Sequence, residues 1–167
     1  MIKMLFKKIF FLKKQKNILV DQDLINFQKG IEIEQNGYTI QKIITDKSDD
    51  WWEYNHQFIQ WVFPLQERSK YNRRAPVVVN VDKYKTPYMI LAYKRFLRII
   101  QNRNYIIPGN HWCLRATRVL KSLKLFGYKK ELKELYEWLI EQVNIYPDLK
   151  YSKIYWDNVY NNKEENR

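Results

Sequence analysis

The sequence predicts an all-α fold: a single compact domain of five to seven helices, with a long extended loop after a central tryptophan-rich helix. Three observations carry this. Apolar residues recur at helical spacing in several long segments. Four glycines and five prolines in 167 residues leave few turns, which suits helices joined by short loops better than a many-stranded sheet. The one β-branched run, Val77–Val81, has no second run to pair with and is read as extended loop. With 46% apolar and 16% aromatic residues, the chain has enough to bury a real core, and its length suits one domain rather than two.

Residues 1–20 form a basic N-terminal segment, 21–160 the helical domain and 161–167 a polar tail. The segment 1–16, MIKMLFKKIFFLKKQK, has only Ile9–Leu12 as an uncharged apolar stretch, too short to span a membrane or form a signal-peptide core. A short helix or frayed tail is preferred there, with peripheral membrane contact through its basic, amphipathic character as the lesser reading. The domain opens with a small helix over Asp21–Gln28, stopped by Gly30. Asn36–Gly37 marks a turn, and Thr39–Ile44 a second short helix.

The central element is Asp50–Pro64, DWWEYNHQFIQWVFP, with three of the six tryptophans. Asp50 is placed as its N-cap, with Glu53 completing a capping box, and Pro64 ends it. Tyr54, Phe58, Trp61 and Val62 then share one face, and such an aromatic load belongs at the centre of the core. A basic loop, Leu65–Ala75, follows. Thr86–Pro87 reads as an N-cap and first position for the helix Tyr88–Asn102, whose apolar stripe is Ile90, Tyr93, Leu97 and Ile100.

From His111 to Phe126 runs the cleanest amphipathic helix. Ala116, Val119, Leu120, Leu123 and Phe126 face the core, with Arg115, Arg118, Lys121 and Lys124 opposite, and Gly127 as the residue after the cap. Lys129–Asn144 buries Leu132, Leu135, Leu139 and Val143. Tyr151–Tyr160 is the last helix.

Thirty basic against eighteen acidic residues give a net charge of +12, a balance that favours polyanionic partners. The excess is concentrated: twelve Lys and Arg and no Asp or Glu lie between Lys83 and Lys130. Arg98, Arg115, Arg118, Lys121 and Lys124 are therefore the candidate anion-binding residues, with interleaved aromatics able to stack on bases. The single cysteine, Cys113, excludes an intrachain disulfide and fits a reducing compartment, so a cytoplasmic location is expected.

His56 and His111 are the only histidines. Paired with Cys113 or Asp50 they would make a metal or acid–base site, but neither sits in a metal-ligand spacing such as H-x-x-x-H. They are assigned to structure, His56 as a buried histidine. Gln60, amid aromatics, is expected to hydrogen-bond a loop backbone. No nucleophile–base spacing can be read, so no catalytic, metal or cofactor residue is assigned and the chain is expected not to be an enzyme.

Two phrases resemble a known family. Residues 56–64 carry H-x-x-I-Q-W-x-F-P, on His56, Ile59, Gln60, Trp61, Phe63 and Pro64. Residues 110–127 carry N-H-x-x-x-R-x-T-R-x-L-x-S-L, closed by a glycine, on Asn110, His111, Arg115, Thr117, Arg118, Leu120, Ser122, Leu123 and Gly127. Both resemble the conserved domain of the opioid growth factor receptor, and Phe27, Gly30 and Gly37 match its start. The resemblance covers roughly residues 22–145, and the length is that of short single-domain relatives. The vertebrate receptor binds an opioid pentapeptide and associates with the nucleus. The resemblance thus implies a peptide- or protein-interaction module of unknown ligand and, by family analogy, nuclear association. It implies no catalytic residues, and the motif residues are read as structural. The alternative is nucleic-acid or other polyanion binding through the helices 88–102 and 111–126.

Overall fold

The computed structural model describes residues 22–31, 38–72 and 75–161. The basic segment 1–16, the Asn36–Gly37 turn and the tail after Asn161 lie outside them. Eight helices are found among the described residues: α1 (22–28), α2 (Ile40–Thr45), α3 (Asp49–Tyr54), α4 (Ile59–Val62), α5 (Pro87–Arg103), α6 (Trp112–Leu125), α7 (Lys129–Ile145) and α8 (Lys150–Asn161). Single 3₁₀ turns, Val81–Tyr84 and Pro147–Leu149, precede α5 and α8. There is no strand among the described residues. Val77 makes one isolated bridge to Leu65, so the valine run is extended loop as expected.

The core is one continuous cluster. α6 packs on α7 and α8, which also pack on each other, while α5 meets α2 and α7. Trp52, Phe58, Phe63, Phe96, Trp112 and Trp156 are all fully buried. Trp52 and Phe58 meet edge-to-face at 4.8 Å, as do Phe63 and Phe96 at 6.1 Å, arrangements that aromatic quadrupoles favour.

The central element departs most from expectation. It is two short helices, α3 and α4, separated by an extended Asn55 (φ −95°, ψ 127°). The break brings Trp52 and Phe58 together in the core and turns Tyr54 out to 78% exposure. The cap is Ser48 rather than Asp50: its hydroxyl accepts from Trp51 N, while Asp49 and Asp50 fill the first turn, where carboxylates suit the helix dipole.

Thr86 is the N-cap of α5 with Pro87 in its first turn, as expected, although its hydroxyl makes no capping bond. The apolar stripe of this helix is revised. The buried stripe of α5 is Met89, Ala92, Tyr93, Phe96, Ile99 and Ile100, with Ile90 and Leu97 only half-buried, because this helix is covered over a wider arc than four residues fill. On α8, Trp156 and Val159 are the buried anchors, while Ile154 and Tyr155 face outward.

α6 ends as its sequence dictates. Gly127 takes φ +75°, Tyr128 N donates to Leu123 O at 2.9 Å, and Gly127 N donates to Lys124 O at 3.0 Å. This is a Schellman closure, which favours glycine because of the left-handed backbone.

Candidate ligand-binding groove

The turn between α3 and α4 is held from a distance by α6. Arg115 is 5% exposed, and its guanidinium spreads over the C-terminal end of α3. Nη1 donates to Trp52 O. Nη2 donates to Asn55 O at 2.8 Å and to Glu53 O at 3.3 Å, and lies 3.1 Å from His56 Nδ1. A six-residue helix leaves most of its last carbonyls without partners, and the planar fork of an arginine satisfies several at once. The guanidinium also lies over the Trp112 ring, 4.7 Å from its centroid. Burial pushes the Arg115 pKa down to about 10, partly opposed by the nearby Glu53, so it stays charged at neutral pH.

Thus Arg115 does not face solvent beside Lys121, as the helical pattern suggested. The interior contains carbonyls that need donors, and it absorbs the residue. His56, in turn, is exposed rather than buried. Its ring stands 5.2 Å from that of His111, so the two histidines of the two motif blocks are neighbours. Glu53 accepts from Trp112 Nε1 and sits 3.6 Å from His111 Nε2, beyond hydrogen-bond reach. Burial, then Arg115, holds the His111 imidazole below its ordinary pKa, against the pull of Glu53. Among the described residues, no group of three or more His, Cys, Asp or Glu is placed to hold a metal ion.

Other motif residues serve the fold. Trp61 packs edge-to-face on Phe27 at 5.7 Å. Gln28 Nε2 donates to the carbonyls of Trp61 and Val62. The Gln60 amide, turned to match donors with acceptors, reaches the carbonyls of His56 and Gln57 at 3.1 and 2.6 Å. Thr117 accepts from Trp156 Nε1 at 3.0 Å, which fastens α8 to α6. Lys124, expected to be a free surface cation, is half-buried and donates to Val159 O at 2.6 Å. There it meets the negative end of α8.

Residues of both blocks also line one open groove of about 610 Å³. Ile59, Gln60 and His56 come from the α3–α4 side, and His111, Leu114, Arg115, Thr117, Arg118 and Lys121 from α6. Leu65 and Glu67–Tyr71 form the opposite rim. Arg118 Nε donates to Phe63 O at 2.8 Å, and burial brings this arginine down to about 10 as well. Lys121 pairs with Glu67 at 2.5 Å. Arg98 is exposed on α5 and is not part of the groove. The rim is the part that sequence reasoning left out of the site. Its signal was a glycine-free loop, Glu67–Tyr71, with two cations and an aromatic residue that nothing in the pattern buries.

These features define an all-helical domain that carries an open, cationic groove. The family model for the opioid growth factor receptor (OGFr) conserved region matches residues 20–100, which include the first block; the second lies beyond that match. The mouse opioid growth factor receptor-like protein 1 is 25% identical over 171 residues, covering 83% of this chain and 37% of its own length. The Xenopus tropicalis protein of that name shows the same identity, and the mouse opioid growth factor receptor is 27% identical over 158 residues, 74% of this chain and 25% of the receptor. The chain is thus similar to opioid growth factor receptor proteins over most of its length, and to that family's conserved region over residues 20–100. It spans about a third or less of the length of these curated relatives, whose names are those of receptors and receptor-like proteins rather than enzymes. No solved structure matches.

Proposed function

We propose that this chain is a non-enzymatic recognition domain that binds a peptide or protein segment in the groove between residues 65–71 and α6. The observation that carries this is the convergence of the two motif blocks, separated by some fifty residues, on one open cavity. Its walls combine cations with exposed apolar side chains, Tyr71 at 82% and Leu114 at 54%. Such a mixture suits a chain segment that offers both apolar and polar groups. The family's receptor names agree with a binding role. Against catalysis, no serine or cysteine hydroxyl or thiol among the described residues hydrogen-bonds a histidine. Ser122 donates to Pro64 O, Cys113 to Ile107 O, and Ser69 accepts from backbone amides.

The test is selection of peptides from a random library, with amide chemical-shift mapping of the bound site. Shifts concentrated at residues 56–71 and 111–121, lost in Leu114→Arg, support the reading. Binders that map elsewhere, or that are indifferent to Leu114→Arg, overturn it.

A second reading is polyanion binding through α5, where Lys94 and Arg98 are both exposed one turn apart. It ranks lower because α6 supplies little free charge: Arg115, Lys121 and Lys124 are engaged within the fold. Among the described residues no helix is long and apolar enough to cross a membrane. We place the chain in the cytoplasm, with nuclear association by family analogy.

A further inference from the structure

Arg118 is held differently from its neighbour Arg115. Its Nε is fixed by the Phe63 carbonyl at 2.8 Å. Its Nη2 is out of contact with water and has no hydrogen-bond partner in the structure. Buried charged donors are seldom left so, because the water they lose is not replaced, and an unpartnered one marks a place where an absent acceptor would fit. Beside it the groove carries Arg68, Lys70 and Lys121 against one carboxylate, Glu67, while the Arg115 guanidinium is held by the α3 carbonyls. That carboxylate already sits on Lys121 at 2.5 Å, so the groove accommodates the chemistry it lacks elsewhere.

We propose that Arg118 is the anion subsite of the groove, and that the occupant is an acidic peptide segment whose Asp or Glu carboxylate accepts from Nη2 while a second acidic side chain competes with Glu67 for Lys121. The proposal rests on the groove being the ligand site. A charge surplus spread over both walls calls for more than one carboxylate, which favours acidic side chains over a lone chain terminus. The groove is bounded and partly apolar, with Leu114 and Tyr71 exposed beside the cations. It therefore fits a few residues of peptide better than a phosphate backbone, which needs a continuous cationic track. Nη2 is covered in the free groove, so the ligand reaches it by moving side chains that line the groove.

The experiment titrates the full-length ¹⁵N-labelled protein with three probes. One is an acetylated and amidated hexapeptide containing Glu and Tyr; the second is its Gln counterpart; the third is that Gln peptide with a free C-terminus. Inorganic phosphate and a short single-stranded RNA serve as separate arms. The Glu peptide should shift the Arg118 Nε–Hε resonance saturably and bind about tenfold or more tightly than the Gln peptide, the effect of one charge-assisted hydrogen bond. Arg118→Gln should remove that preference.

Because Arg118 also supports Phe63, the decisive variant is Glu67→Gln, an exposed position whose change should leave the fold intact. It frees Lys121 and should tighten Glu-peptide binding about three- to tenfold. Several outcomes overturn the inference: equal binding of the Glu and amidated Gln peptides, a preference carried by the free C-terminus, an unchanged or weaker Glu67→Gln variant, or an Arg118 shift produced only by phosphate or RNA. Equal peptide binding mapped to the groove would leave the groove reading standing. So would failure of all three peptides beside library-selected binders that map there. Phosphate at Arg118 with no peptide binding anywhere would remove the groove reading as well.

Discussion

Replacing Arg115 by methionine keeps the unbranched stem and removes every donor. The carbonyls of Trp52 and Asn55 lose their charged partner, and Trp112 loses the cation above it. A buried acceptor left unpaired costs about 1–3 kcal/mol, and a buried cation–π contact contributes about 0.5–2 kcal/mol. In the other direction, the folded state no longer strips a guanidinium of water, which returns part of the loss. The expected net destabilisation is about 2–4 kcal/mol, or about 5–15 °C in Tm for a chain of this size. Urea unfolding followed by tryptophan fluorescence, with calorimetry alongside, measures it. Arg115→Lys should recover little, because one ammonium on a flexible stem cannot reach three carbonyls and the His56 ring together. If the methionine variant melts within about 2 °C of the native protein, or lysine restores stability fully, then Arg115 does not clamp the end of α3 and the account of the α3–α4 break fails.

Three further outcomes are expected. Trp61→Ala, which removes a ring 6% exposed and packed on Phe27, should cost about 3–5 kcal/mol in denaturant unfolding, and a native-like midpoint would show that the ring is not part of the core. His111 is held below its ordinary value of about 6.5 by burial and Arg115, so the unfolded chain binds its proton first. Its stabilising contribution is present above that pH and lost as pH falls through the lower folded value; stability measured from pH 7.5 to 5 should fall more steeply in the native protein than in His111→Gln, and parallel curves would refute this. Gly30→Ala should cost about 1–3 kcal/mol, since φ is +71° and a Cβ would press on the Gln41 amide that donates to Tyr88, whereas an unchanged Tm would mean that the turn reorganises freely.

Where a structural decision is local, the sequence states it. The apolar faces of α6 and α7, the glycine that closes α6 and the proline that opens α5 all lie within a few residues of what they determine. The break in the tryptophan-rich stretch was illegible for the opposite reason. Its helical spacing runs unbroken from Tyr54 to Val62, and no glycine or proline interrupts it. The break is sustained by Arg115, some sixty residues away, which takes the carbonyls near the end of α3. The same contact explains why charge alone misplaced the site. Reading Arg115, Arg118, Lys121 and Lys124 as one solvated face treats them as point charges, whereas an arginine is also a fork of donors that a helix end can draw inward. Lys124 was drawn in likewise, by the last turn of α8. What stays at the groove is therefore what the backbone leaves unused: the Arg118 Nη2, and Lys121 shared with Glu67. The anion subsite and the clamp are residues of the same type three positions apart on one helix. They differ because Arg115 meets several acceptors, while Arg118 meets one and keeps a donor to spare.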